Sequence, residues 1–170
     1  MKSTDQVFEH SVFGQRVVVT RSAEDTGGDS LRLECYLAPR QSMTMEHVHP
    51  VQKENLTVLS GTVQVRVNDT VRTVEPGQKV QIPSRLRHLY WNTGDTEAVV
   101  QVELRPALQM ESFLEEFRTL ALAGKVGPET SRPRMIEMAS LLHRYRNEIQ
   151  MTLMPKPLQA VVFGGLVLMG

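Results

Sequence analysis

Side chains that could bind a metal are concentrated in one part of this sequence. His47, His49 and Glu54 lie close together, and His88 follows further along the chain. Imidazole nitrogens and carboxylate oxygens are common ligands of divalent transition metals. Residues two positions apart on a strand point to the same face, so His47 and His49 would project together. We therefore predict a metal centre formed by these four residues. The alternative is that they are hydrogen-bonded interior groups without a metal.

The bulk composition narrows the classes of protein to consider. With 170 residues, the chain is long enough for one domain and a small appendage. Its 19 basic and 19 acidic residues balance, which argues against a nucleic-acid partner. The single cysteine, Cys35, excludes an internal disulfide and fits a reducing compartment. Residues 1–10 are polar and lack the apolar segment of a secretory signal, so we expect a cytoplasmic protein.

Short apolar runs separated by turn residues dominate the first hundred residues. Leu31, Leu33, Cys35 and Leu37 alternate with polar residues, which predicts a half-buried strand. Glycine, proline and asparagine separate the other runs, which lie at 17–20, 56–58, 63–67, 71–74, 80–82 and 98–104. This pattern predicts a mostly β fold, an antiparallel sandwich or barrel.

The hydrophobic period becomes helical after Pro106. Ser112 and Glu115 have the spacing of a capping box, which predicts a helix that Gly124 would end. A second helix is predicted from residue 132, with an apolar stripe that includes Ile136. We predict a β-barrel over 1–106 and a helical extension of two or three helices over 107–170. The uncharged tail at 160–170 is too short to span a membrane, which needs about 20 apolar residues, and we expect no membrane partner. A chain that continued past Gly170 would reopen this question.

The histidine-rich segment resembles the first conserved motif of the cupin family, commonly written G-x5-HxH-x3–4-E-x6-G. His47, His49, Glu54 and Gly61 match it in type and spacing. The leading glycine is absent, because Gln41 occupies that position.

The segment around His88 resembles the second cupin motif, G-x5-PxG-x2-H-x3-N. Gly77, Pro83, His88 and Asn92 match it, whereas Arg85 stands where the second glycine is expected. Both motifs occur in order and every ligand position is filled. We expect Asn92 to act as a hydrogen-bonding loop residue and not as a ligand.

The resemblance implies an antiparallel double-stranded β-helix, also called a jelly roll or cupin barrel. It also implies one metal held by His47, His49, Glu54 and His88, and often a homodimer. Three imidazoles and a carboxylate suit Fe, Mn, Co, Ni, Cu or Zn, and ligand type does not choose among them. Four protein ligands in an octahedral arrangement would leave positions open, as in catalytic centres.

Two functional hypotheses follow. The first is a metal-dependent small-molecule enzyme of the dioxygenase type, because no separate general base stands out. The alternative is a non-catalytic small-ligand-binding or sensing module. Tyr90 shares strand parity with His88 and is a candidate substrate contact or a core residue. Arg85 is a candidate contact for an anionic substrate or a solvated surface arginine.

Overall fold

The computed structural model describes residues 6–10, 15–41, 45–126 and 132–152, and it shows a mostly β fold followed by helices, as predicted. The strands are β1 Gln6–His10, β2 Gln15–Arg21, β3 Leu31–Leu37, β4 His47–Val48, β5 Lys53–Ser60, β6 Val63–Val67, β7 Thr70–Val74, β8 Lys79–Ile82, β9 His88–Asn92, β10 Ala98–Arg105 and β11 Gln150–Met151. The helices are α1 Met110–Leu122 and α2 Arg132–Arg144. Neither helix is long and apolar enough to cross a bilayer. The tail at 160–170 lies outside the described residues.

The strands form two antiparallel sheets. One sheet has the order β1-β2-β3-β10-β5-β8, and the other has the order β11-β4-β9-β6-β7. Buried residues of both sheets belong to one hydrophobic core. The alternating apolar residues of β3 and β10 point into this core, as the sequence pattern predicted. Each fully buried Val or Leu contributes roughly 1.5–3 kcal/mol through removal of apolar surface from water.

Gly61 connects β5 to β6 in a backbone conformation that side chains disfavour. Its φ is +75°, and a Cβ added here would lie 2.6 Å from the Cβ and 2.8 Å from the Cα of Ala98. Real Cβ atoms do not approach other carbons so closely. The glycine at this motif position is therefore required both by the turn and by the neighbouring strand β10.

Asn92 fastens the end of β9 to two other segments. Its amide nitrogen donates to the carbonyl oxygens of Leu37 at 3.1 Å, Ala38 at 3.2 Å and Thr96 at 2.7 Å. Its side-chain oxygen accepts the Gly94 N–H at 2.8 Å. The amide is thus fully hydrogen-bonded, as a buried polar group must be. The expected hydrogen-bonding role is confirmed, although Asn92 is the last residue of β9 and not a loop residue.

Helix α1 begins at Met110, two residues before Ser112, so the predicted capping box is wrong. The residue before the helix is Gln109, which makes no side-chain cap. Instead, the Glu148 carboxylate accepts the Gln109 N–H at 3.4 Å. A main-chain N–H at the start of the helix is therefore satisfied by a tertiary contact, and not by the side chain of a local capping box. At the other end, Gly124 has φ +66°, as predicted for the residue that ends the helix.

The exposure of Ile136 also differs from the prediction. Ile136 is 44% exposed, although it was placed in the apolar stripe of α2. The buried positions of this helix are instead Ala139, Leu141 and Leu142. The apolar residues of α2 extend around a wide arc, so the sequence alone did not show which of them would face the core.

Candidate metal centre

The fold brings the four predicted ligands together between the two sheets. His47 on β4 and His88 on β9 are directly paired strand neighbours. Glu54 lies on β5 of the other sheet, and His49 follows β4 in the loop that leads to β5. All four side chains are buried. One potential ligand atom from each lies within 4.8 Å of those of the other three.

Each histidine is oriented by a hydrogen bond from Nδ1 to a main-chain carbonyl oxygen. Nδ1 of His47 contacts the Met45 oxygen at 3.0 Å, and Nδ1 of His88 contacts the Leu86 oxygen at 2.9 Å. Nδ1 of His49 contacts the oxygen of Glu148 at 2.5 Å. A carbonyl oxygen only accepts, so each Nδ1 carries the proton. In the neutral rings Nε2 therefore carries a lone pair, which is the tautomer that a metal ligand needs.

The carboxylate of Glu54 faces these nitrogens without a full set of donors. Its Oε2 lies 3.2 Å from His49 Nε2 and 3.0 Å from His88 Nε2. Its Oε1 is buried and has no hydrogen-bond partner among the described residues. Lone pairs on neutral Nε2 atoms would repel the carboxylate oxygens, and a cation between them converts that repulsion into shared attraction. The donor set therefore fits a divalent transition metal.

Burial and mutual interactions shift the pKa values of three of these groups in different directions. Burial, with the nearby His88 and His49, lowers the pKa of His47 to about 3, so this imidazole is neutral at pH 7. Burial lowers the pKa of His88, but the attraction of Glu54 outweighs burial and raises it overall. Burial raises the pKa of Glu54, but the neighbouring His88 and His49 outweigh burial and hold it well below its usual value.

A second carboxylate lies beside the ligands but is already occupied. Glu46 accepts the Thr152 hydroxyl at 2.7 Å and forms ion pairs with Arg66 at 2.9 Å and Arg87 at 3.7 Å. The Thr152 hydroxyl is the main cause that holds the pKa of Glu46 below its ordinary value, against the opposing effect of burial. This network fixes the chain next to His47.

Tyr90 points into the interior, as its parity with His88 predicted, and is 4% exposed. A hydrogen bond joins its hydroxyl to the Cys35 thiol. Burial is the largest cause that raises the pKa of both groups, and that of Cys35 reaches about 12. Tyr90 therefore has a structural partner, and its expected contact with substrate stays a prediction.

Arg85 lies in the turn between β8 and β9 and is exposed. Its φ of +67° is the left-handed conformation that glycine would adopt easily. Its main-chain N–H donates to the His49 oxygen at 2.8 Å, and its Nε donates to the Pro50 oxygen at 3.3 Å. No acidic partner is found for it within the described ranges. The guanidinium thus lies beside the loop that carries His49.

Sequence reasoning missed two residues that support the centre. Gln52, between two ligands in the chain, is fully buried and donates to the oxygens of Pro106 at 3.1 Å and Ala107 at 2.8 Å. It ties the ligand loop to the start of the helical part. The other is Glu148, which holds His49 through its main chain. A main-chain acceptor has no sequence signature, so no pattern could have found it.

Comparison with known proteins shows the relationship of the barrel. Residues 33–104 match the family described as "Cupin domain". The chain is 38% identical to Protein SchB of Streptomyces halstedii over 61 residues, which are 36% of this chain and 44% of SchB. The matched segment thus spans less than half of that relative.

Solved structures share the fold at low identity. A predicted oxalate decarboxylase from Thermotoga maritima is 20% identical with a TM-score of 0.53, and the match covers 62% of this chain and 94% of that one. The Streptomyces nucleoside dehydratase Pac13 is 13% identical with a TM-score of 0.53, and the match covers 65% and 86%. These similarities concern the fold and leave the reaction open.

Proposed function

We propose that this chain, a small protein of the cupin superfamily, binds one divalent transition metal and acts on a small-molecule substrate there. His47, His49, Glu54 and His88 are the proposed ligands. The observation that carries this proposal is the convergence of their ligand atoms within 4.8 Å in a buried site. The three carbonyl-bound Nδ1 atoms support it, because they present Nε2 of each neutral ring as a metal-binding lone pair.

The protein groups divide the work of such a centre. The Nε2 atoms of the imidazoles and the carboxylate of Glu54 would hold the ion, and the surrounding apolar core would limit access of water. A bound transition metal would supply Lewis acidity, a template for substrate and, for Fe, redox chemistry. The hydrogen bonds from Nδ1 to main-chain carbonyl groups hold the three histidines in place before an ion binds, so little rearrangement is needed on binding.

For the reaction we propose a dioxygenase type. Two buried carboxylates lie outside the ligand set in the described interior, and both are engaged. Glu46 is paired with arginines, and Glu148 accepts the N–H of Gln109 just before α1. No unengaged acid and base pair is therefore offered for isomerase chemistry. Protein loaded with Fe(II) should consume O2 in the presence of a phenolic, keto-acid or thiol compound. Fe(II)-bound protein that stays silent across such a panel would instead favour a ligand-binding module.

Metal content is the first test. Freshly purified protein should contain about one transition metal ion per chain by elemental analysis, as expected for one closed ligand set. His47→Ala and His88→Ala should lose it. His143→Ala is the matched control, because His143 is exposed on α2. Equal metal content in all four proteins would refute the proposed ligand set.

We also propose Arg85 as the contact for an anionic group of the substrate. Arg85→Gly should leave folding stability within about 1 kcal/mol, because relief of the left-handed strain offsets the lost Nε bond. It should weaken binding of anionic compounds roughly tenfold or more, as expected for a charge-assisted bond. Arg85→Lys keeps a positive charge and serves as the control. Equal binding by all three proteins would exclude this role, and Tyr90→Phe tests the second proposed contact in the same way.

A homodimer is the proposed assembly, following the resemblance to cupins. Light scattering should then give twice the chain mass of 19.2 kDa. A mass of one chain at micromolar concentration would contradict it.

A further inference from the structure

The three main-chain carbonyl groups that orient the histidines lie at different distances along the chain from the histidines they contact. The carbonyl groups that accept Nδ1 of His47 and His88 belong to residues two positions earlier in the chain. These contacts form wherever the local backbone is correct. The acceptor for His49 is the Glu148 oxygen, which is 99 positions away. The orientation of one ligand therefore depends on the segment that follows α2.

That segment, residues 145–152, is fixed on the side of the barrel. Strand β11 pairs with β4, so that Met151 lies opposite His47 itself. Thr152 extends the pairing, because its N–H donates to the Glu46 main-chain oxygen at 3.1 Å. Its hydroxyl donates to the Glu46 carboxylate at 2.7 Å and lies 3.0 Å from the same main-chain oxygen.

The same segment is fixed on the side of the helices. The N–H groups of Glu148 and Ile149 donate to the Tyr145 oxygen at 3.0 and 3.1 Å. Tyr145 and Ile149 are buried in the core. The Glu148 carboxylate accepts the N–H of Gln109, the residue before α1. Residues 145–152 thus connect both helices to two of the proposed ligands.

From this arrangement we infer that residues 145–152 act as a clamp on the metal centre, so that the helical extension sets its metal affinity. The clamp positions His49 through the Glu148 carbonyl and holds the ligand strand β4 through Thr152. It rests on the proposed function, because it presupposes the metal site. Loss of a hydrogen-bond partner of a metal-bound histidine typically lowers metal affinity about 10–100-fold.

Two substitutions at one position test the clamp. Thr152→Pro removes the N–H and the hydroxyl, and so releases the end of β11. Thr152→Val removes the hydroxyl alone and keeps the N–H bond to Glu46. Zn²⁺ affinity is measured by competition with a chromophoric chelator, and circular dichroism confirms folding. We expect Thr152→Pro to bind Zn²⁺ about tenfold or more weakly than Thr152→Val. Equal affinities in two folded variants would overturn the clamp.

A measurement on the unaltered chain covers the case in which the proline variant does not fold. Coupling between two sites is reciprocal, so bound Zn²⁺ must stabilise the clamp by the same free energy by which the clamp strengthens Zn²⁺ binding. We expect Zn²⁺ to slow hydrogen exchange at the Thr152 amide and, in histidine ¹⁵N spectra, to leave the proton of His49 on Nδ1. Exchange at Thr152 that is unaffected by bound Zn²⁺ would overturn the inference. If the unaltered chain binds no Zn²⁺, the proposed metal site itself is wrong. If it binds Zn²⁺ without an effect at Thr152, only the clamp is wrong.

Discussion

Replacing Glu54 by glutamine should remove most of the stabilisation that a bound metal gives to this fold. Glu54 is 2% exposed, and its Oε2 lies 3.0 and 3.2 Å from two histidine nitrogens. Glutamine has nearly the same shape, so it tests the charge and not the packing. It leaves three imidazoles and an amide as ligands, and none of these groups carries the negative charge that favours a dication.

The size of the effect follows from mass action. A ligand that binds only the folded state at 100 times its Kd stabilises that state by about 2.7 kcal/mol. For a chain of this size, that corresponds to a rise in Tm of roughly 5–11 °C. Loss of one ligand should weaken binding by at least about 100-fold, more than loss of an outer partner. At the same Zn²⁺ concentration, the variant would gain only about 0.4 kcal/mol, or roughly 1–2 °C.

Thermal unfolding with Zn²⁺ and with EDTA measures this difference directly. Glu97→Gln is the matched control, because it makes the same chemical change at an exposed position. We expect the control to keep the full Zn²⁺-dependent shift. A Glu54→Gln protein that is stabilised by Zn²⁺ as strongly as the control would refute the assignment of Glu54 as a ligand.

Three further predictions concern the turn, the thiol and pH. Gly61→Ala should lower the free energy of unfolding by about 2–4 kcal/mol and Gly77→Ala by about 1–2 kcal/mol, as measured by urea unfolding. Both glycines have positive φ, but of the two only Gly77 is surrounded by open space. Equal losses of stability would contradict the close approach of Ala98 to Gly61. Burial raises the pKa of Cys35 to about 12, so about one thiol in ten thousand is ionised at pH 8 and Ellman's reagent should label it only after unfolding. Rapid labelling of the native protein would be the opposing result. Burial lowers the pKa of His88, but the attraction of Glu54 outweighs burial and raises this pKa overall. At a pH below the pKa of His88, Zn²⁺ must displace a proton, so Zn²⁺ affinity should fall about tenfold per pH unit. A Zn²⁺ affinity that is constant from pH 8 to 5 would contradict this prediction.

The strands and the grouping of the candidate ligands could be predicted because local rules determine them. Alternating apolar residues mark the buried face of β3, and parity places Tyr90 on the same side as His88. The motif spacing predicted that His47, His49, Glu54 and His88 would meet, and the structure brings them together. These features depend on the type and spacing of side chains, which can be read directly from the sequence.

The features that could not be predicted depend on tertiary contacts of the main chain. Helix α1 begins before Ser112, and the residue before it, Gln109, donates its N–H to the distant Glu148. Strand β11 has two residues, too few for a detectable period, and it exists because β4 offers an unpaired edge. Arg85 keeps a left-handed backbone without glycine because its N–H and Nε bond the neighbouring loop.

The distance of 99 positions between His49 and its carbonyl acceptor also has a consequence during synthesis on the ribosome. The nascent chain emerges from its amino terminus, so His47 and His88 can be oriented once β9 has left the exit tunnel. His49 cannot reach its native acceptor until residue 148 has emerged. An ion captured earlier would meet an incomplete set of oriented ligands, so the centre should mature only after residue 148 has emerged.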